Sequence, residues 1–384
     1  MRVLLAFDKF KDSLTAPAAC AHAATALRAS HPDWSLDLCP LTDGGEGFAP
    51  ILTQAAGGTT HTATVTGPRG TPVAATFGLV KLNAIPAAAR ELLALPASLP
   101  ADATVALIEM ATASGLALLP AGERDPWQTT SRGTGELIAH AARLGAQVVL
   151  LGVGGSATND LGLGALGALG LRFLAADARA ISPPIPAAWD AIERIEGRVA
   201  APLIRIACDV ANPLLGPQGC SAIYGPQKGL AAADLPRMEA GVGRLALLLC
   251  EHAATSVDVM RAPGAGAAGG IAFGLMTAAG AQLLPGSDLV TAWLDLENRL
   301  AQADLVITGE GRFDDSSLSG KGPGALARQA LALAKPVHVF AGSVATTGAP
   351  PDLRLHAITP AEMPLAEALI AAPDLLARAL RTTF

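Results

Sequence analysis

Aromatic residues make up only 4% of this 384-residue sequence, so its cores must be built from Leu, Val, Ile and Ala. That palette suits helices packed on sheets better than an all-β sandwich. Cysteine is scarce and scattered. Cys20, Cys39, Cys208, Cys220 and Cys250 form no C-x-x-C pair and have no His at metal-ligand spacing. A disulfide framework and a structural zinc site are therefore not expected, and the thiols read as those of a reducing compartment. The formal net charge is -6 and no Lys/Arg run occurs, which argues against a sequence-independent grip on nucleic acid or an anionic membrane. Near the start, the apolar run Val3–Phe7 stops at Asp8 and Lys9, too short for a signal-peptide core, so export is not expected. The longest stretch without charge, between Arg261 and Asp288, is broken by Pro263, Pro285 and glycines and reads as a loop followed by a buried helix rather than a membrane span.

Several familiar signatures are also missing. Lys321 follows Gly320 but precedes Gly322, so there is no G-x-x-x-x-G-K-[ST] loop. G-x-G-x-x-G occurs at Gly162–Gly167 and at Gly264–Gly269, yet neither copy directly follows a clear strand. Neither a G-x-S-x-G elbow nor an H-E-x-x-H pair is found.

What is present has the alternation of an α/β protein. The length exceeds what one core serves well, so two domains are expected. Short apolar segments at Val3–Phe7, Leu36–Leu41, Leu305–Thr308, Val337–Ala341 and Leu355–Thr359 read as buried parallel strands. Helices are expected at Ala16–Ala29, Gly47–Ala56, Gly324–Leu333 and Pro364–Ala371, the last ended by Pro373. The simplest arrangement is a Rossmann-like or flavodoxin-like parallel-sheet domain built from both termini, residues 1–60 and 286–384, with residues 61–285 inserted as a mixed α/β domain. The inserted part contains expected strands at His61–Thr66, Val73–Val80, Val105–Met110, Val148–Gly152 and Ile204–Asp209, some with period-two alternation. Its helices are expected at Thr134–Leu144, Leu161–Leu169, Leu235–His252 and Ala267–Ala279. Two chain crossings between domains imply a cleft suited to small-molecule chemistry.

Certain loops concentrate chemistry. The run VVLLGVGGSATNDLGLG carries an apolar strand into Gly154, Gly155, Ser156, Thr158, Asn159 and Asp160 before a helix, the pattern of a backbone anion cradle. Asp160 could hold Mg²⁺ or accept a proton; the alternative is a tight turn with Asp160 as a helix cap. ITGEGRFDD followed by LSGKGPG crowds Gly309, Glu310, Arg312, Asp314, Asp315 and Lys321 at the carboxyl edge of a strand, where open α/β sheets bind ligands. PLTDGGEG brings Asp43 and Glu46 to the same edge, and DKFKDS adds Asp8, Lys9, Lys11 and Ser13. In the middle domain, Asp209 and Asn212 end a strand and Lys228 sits in the turn YGPQKG.

Taken in order, DKFKDSLTA, DGGEG, VTGPRG, IEMATASGL, TTSRGTGELI, GVGGSATND, ACDVANPL, YGPQKG, PGAGAAGG, ITGEGRFD and SGKGPG resemble the bacterial glycerate kinase family. The resemblance implies ATP and D-glycerate as substrates, Mg²⁺ as helper ion, a two-domain fold with a discontinuous Rossmann-like part, and phosphoglycerate as product, 2-phosphoglycerate ahead of 3-phosphoglycerate. The chain departs from the family at Leu161, Leu163 and Phe313, and has SGKGP where an HGK-like sequence is common.

On this reading Asp160, Asp209, Asp314 and Lys321 are the catalytic candidates, and Asp160, Asp314 and Glu310 the metal candidates. Lys228 and Lys321 would meet phosphate, and Arg132 the glycerate carboxylate. Asp8, Lys11, Asp43, Glu46, Gly154, Gly155, Ser156, Thr158, Asn159, Gly309, Glu310 and Arg312 complete the expected binding set. An NAD-dependent hydroxy-acid dehydrogenase and a non-catalytic sensor of small acids are the alternatives. The reaction is expected in the cytoplasm, without nucleic-acid or membrane partners, and the oligomeric state is left open.

Overall fold

The computed structural model describes residues 1–42, 44–318 and 322–384. Along the chain the strands are β1 (Arg2–Phe7), β2 (Ser35–Leu38), β3 (Thr59–Thr66), β4 (Pro72–Lys81), β5 (Thr104–Glu109), β6 (Ala146–Gly152), β7 (Arg172–Leu174), β8 (Arg194–Glu196), β9 (Leu203–Ala207), β10 (Gln282–Leu284), β11 (Leu305–Asp314), β12 (Val337–Ala345) and β13 (Arg354–Ala357). The chain divides into two compact units, Met1–Asp43 with Val290–Phe384, and Gly44–Leu289.

The first unit holds a five-stranded sheet in the order β13-β12-β11-β1-β2, parallel throughout. Because a parallel sheet is covered on both faces, its strands read as unbroken apolar runs, and Val3 through Phe7 are all fully buried. The helix Ala16–Ser30, capped by the Thr15 hydroxyl accepting from Ala18 N, packs beside the C-terminal helix Leu365–Thr383. Helix Gly322–Ala332 packs on β11 and β12. Two expectations need correction here. Strand β11 runs on to Asp314 because β12 pairs with it as far as Ala345, so the GEGRFD stretch is strand rather than loop. The C-terminal helix is continuous through Pro373. A proline strands the carbonyl four residues before it, and here that carbonyl, Leu369 O, accepts the Ser13 hydroxyl at 2.6 Å.

The second unit holds a six-stranded sheet, order β10-β9-β6-β5-β4-β3, in which β3, β4 and β5 are antiparallel neighbours and β5, β6, β9 and β10 run parallel. A separate β7–β8 hairpin completes it. Helix Phe48–Ala55 belongs to this unit, packed on β4 and β5, so the chain leaves the first unit sooner than the expected residue 60. Helix Leu235–Ala253 lies near its expected bounds. Helix Ala267–Ala279 opens with Ala268, Gly269 and Gly270 in left-handed conformation, so regular helix begins only after them. The long uncharged stretch is thus a turn and a buried helix, and no helix among the described residues is long and apolar enough to cross a membrane.

Candidate functional site

In the second unit the β6 strand enters the turn Val153–Gly162, and helix Leu163–Ala168 follows. This is the expected strand-loop-helix unit, and a carboxylate of the loop accepts N–H groups at the helix start. The Asp160 carboxylate is completely buried and accepts from Ser131 N at 2.7 Å, Ser131 Oγ at 2.8 Å, Gly162 N at 3.1 Å and Gly164 N at 3.3 Å. Burial pushes its pKa up, while the Ser131 and glycine hydrogen bonds pull it down. Ser131 also accepts from Ala165 N at 3.0 Å, so the two residues fasten the starts of helices Arg132–Arg143 and Leu163–Ala168 together. Asp160 is thus held inside the unit by three backbone N–H groups and the Ser131 hydroxyl, the geometry of the helix-cap alternative.

Lys228 is buried in the same loop region. It is 1% exposed, donating from Nζ to Ser156 Oγ at 2.9 Å and to Thr158 O at 2.6 Å. Burial lowers its pKa to about 8, opposed by Cys220 and Asp160. Its ammonium is held against the glycine loop through Ser156 and Thr158. Thr158 and Asn159 are also buried, Asn159 donating to Ser221 Oγ at 3.0 Å. Only Gly154 and Gly155 of this loop reach the surface to any extent.

Those two glycines answer to geometry. Gly155 has φ +70, and a Cβ on Gly154 would lie 2.6 Å from Gly45 Cα, where only backbone could give way. Gly154→Ala is expected to cost about 1–3 kcal/mol, the range for overpacking. Urea denaturation reads this directly, and unchanged stability would mean the loops at Gly45 and Gly154 are apart in solution.

Arg132 begins its helix and pairs with Glu136 at 2.9 Å. It lines a cavity of ≈ 370 Å³ together with Arg69, Thr66, Gln128 and Thr130. Arg69 carried no assignment from the sequence; its place in VTGPRG was the available signal. Glu46 is exposed on the turn before helix Phe48–Ala55, and Glu109 Oε1 accepts from Ala49 N at 2.7 Å at the start of that helix. Asp209 accepts from Ser287 N at 3.0 Å and Ser287 Oγ at 2.6 Å, at the start of helix Gly286–Trp293.

The first unit gathers a different set. A cavity of ≈ 630 Å³ is lined by Asp8, Lys9 and Lys11 after β1 and by Glu310 and Arg312 of β11. Asp314 does not line it. Its carboxylate accepts from Ser316 N and Oγ at 3.0 and 2.5 Å and from Arg312 Nε at 3.1 Å, and the Ser316 bonds hold its pKa below the usual value. Gly309 is required by packing, since a Cβ there would come within 1.8 Å of Phe340 O. Asp43 and Lys321 lie outside the described residues. Among the described residues no group of three or more His, Cys, Asp or Glu could hold a metal ion.

A parallel sheet with carboxylates and cations at adjoining strand ends, and a second sheet ending in a braced glycine loop, define an α/β enzyme equipped for small anionic substrates. The sequence comparisons narrow that class. A sequence model described as the glycerate kinase family matches residues 3–384. The chain is 40% identical to the glycerate 2-kinase of Escherichia coli strain K12, over 90% of this chain and 86% of that one. It is 37% identical to the glycerate kinase of Bacillus subtilis strain 168, over 99% and 96%. A crystal structure assigned as glycerate kinase 2 from Salmonella typhimurium LT2 superposes with TM-score 0.78 at 37% identity, covering 100% of this chain and 97% of that one. The chain belongs to the glycerate kinase family, and is thereby a phosphotransferase. Neither the dehydrogenase nor the sensor alternative gains support.

Proposed function

We propose that the chain transfers the γ-phosphoryl group of ATP to a hydroxyl of D-glycerate, giving 2-phosphoglycerate. The observation that carries this reading is the match to the E. coli glycerate 2-kinase across nine-tenths of the chain, 40% identical. Phosphoryl transfer asks a protein for positioning and for charge around the transferring group more than for covalent chemistry. The residues fit that demand. Lys9, Lys11 and Arg312 supply cations at one cavity, and Arg69 with Arg132 can receive a planar carboxylate at another.

Mg²⁺ fits the donor set near Lys9. Asp8 and Glu310 line the same cavity, and Mg²⁺ ordinarily takes one or two protein carboxylates, with phosphate oxygens and water completing its shell. When bound there it would offset the phosphates' charge. Asp314 remains a positioning residue for the chain after β11, through Arg312 and Ser316. We place the reaction in the cytoplasm, in keeping with Cys20, Cys39, Cys220 and Cys250 as buried thiols.

The test is product identity. ATP, Mg²⁺ and D-glycerate are incubated with the enzyme, and enolase, which dehydrates only the 2-isomer, is added with and without phosphoglycerate mutase. An absorbance rise at the enolase step without mutase is expected; a rise that requires mutase would make the product 3-phosphoglycerate, and no product at all would sink the proposed reaction.

A further inference from the structure

We propose that the cavity of the first unit is the nucleoside subsite, with the purine base of ATP against its aliphatic end and the phosphates toward its charged end. The inference rests on the phosphotransferase reaction above and adds where the donor's base is held. Topology supplies the first argument. Starting from β1, the sheet extends to β2 on one side and through β11, β12 and β13 on the other, so the connections out of β1 and β11 leave in opposite lateral directions. Such a switch point opens a crevice at the carboxyl ends of the two strands, the usual ligand place in open α/β sheets. The cavity sits beyond the carboxyl end of β1, bounded by the residues after Phe7 and by Glu310–Arg312 in the carboxyl half of β11.

Its chemistry supplies the second argument, because the lining is two-sided. Charge comes from the switch point, in Asp8, Lys9, Lys11 and Arg312, while Ile358, Met363, Leu365 and Leu369 line it from the segment after β13 and the C-terminal helix. Leu365 is 73% exposed, a large aliphatic side chain left open at the rim. A three-carbon hydroxy acid has no apolar surface to set against such a wall, whereas a purine has two faces. The volume of ≈ 630 Å³ also lies within the roughly 300–1,000 Å³ of pockets that enclose ligands of nucleotide size.

The experiment uses the whole enzyme. Ser343→Trp places bulk in the cavity from an exposed position, and Met363→Glu puts a charge on the aliphatic wall. Both variants, checked for unchanged thermal unfolding, are expected to raise KM for ATP by about tenfold or more, the scale of losing one good apolar contact, with KM for D-glycerate unchanged. Independently, 8-azido-ATP should photolabel wild-type enzyme within residues 358–372. Unchanged KM for ATP in both folded variants, a rise in KM for glycerate alone, or label confined to residues 44–289 would each overturn the subsite while product formation by the wild type leaves the reaction standing. A wild-type enzyme that neither forms product nor takes label would remove both.

Discussion

Lys228→Met is expected to lower kcat about a hundredfold, the scale seen when groups near the chemistry are misplaced by roughly an ångström. It should also remove an alkaline rise in stability. The wild-type ammonium holds Ser156 Oγ and Thr158 O, so its loss frees the turn that presents Gly154 and Gly155. The stability effect follows from proton counting. Burial lowers the pKa of folded Lys228 to about 8, against the ordinary lysine value of 10.5. Between those values the unfolded chain binds more protons, so this residue's contribution to stability rises with pH across the window, by about 3 kcal/mol in all. Below pH 8 the folded protein carries the full cost of the buried charge. Cys20 and Cys39, pushed up to about 12, and Cys220, to about 11, act oppositely above pH 9, because there the unfolded chain releases thiol protons first. The readout is therefore the difference in urea-denaturation free energy between wild type and Met variant at pH 7, 8, 9 and 10. A difference that stays flat with pH, or a variant with normal kcat, would remove Lys228 from this role.

Asp160→Ala should destabilise the second unit by about 3–5 kcal/mol, as when one partner of a buried polar network is deleted. It would leave Ser131 N, Gly162 N and Gly164 N without their acceptor in the interior. Asp160→Asn distinguishes a latch from a base. Its single carbonyl oxygen can replace Oδ2, but its amide would face Gly162 N–H, one donor against another, for a cost of about 1–3 kcal/mol. Once folded, the Asn variant is expected to keep kcat within about tenfold, less than the 10²–10⁴ that general acid–base catalysis contributes. A stable Asn variant that has lost a hundredfold or more in kcat would return Asp160 to the chemistry.

These two residues also mark how far the sequence could be read. A carboxylate in a Gly/Ser/Thr turn and a lysine between Gly and Pro were both visible as unusual. Their partners were not. Ser131 lies 29 positions before Asp160, and Ser156 lies 72 before Lys228, so only the fold reveals that both side chains point inward. The apolar strand β1 was legible because covering a parallel sheet on both faces leaves a continuous signature. Pro373 misled, because the cost of a proline in a helix depends on what becomes of one carbonyl, and the hydroxyl that meets it is 356 residues away. Gly309 looked like loop material because close approach to a neighbouring strand leaves no pattern in single-sequence spacing. The cavity's cations could be named beforehand, yet its aliphatic wall, carried by the C-terminal helix, had no motif to announce it.

The bond from Ser13 to Leu369 O has an evolutionary corollary. Proline at 373 leaves a carbonyl open that the hydroxyl at position 13 meets, and without the proline that carbonyl would have a partner in its own helix. The two positions should thus be epistatic, so that Ser13→Ala is costly beside Pro373 and close to neutral after Pro373→Ala. Mutational paths through this protein would then have an order, with the proline replaced before the serine can drift.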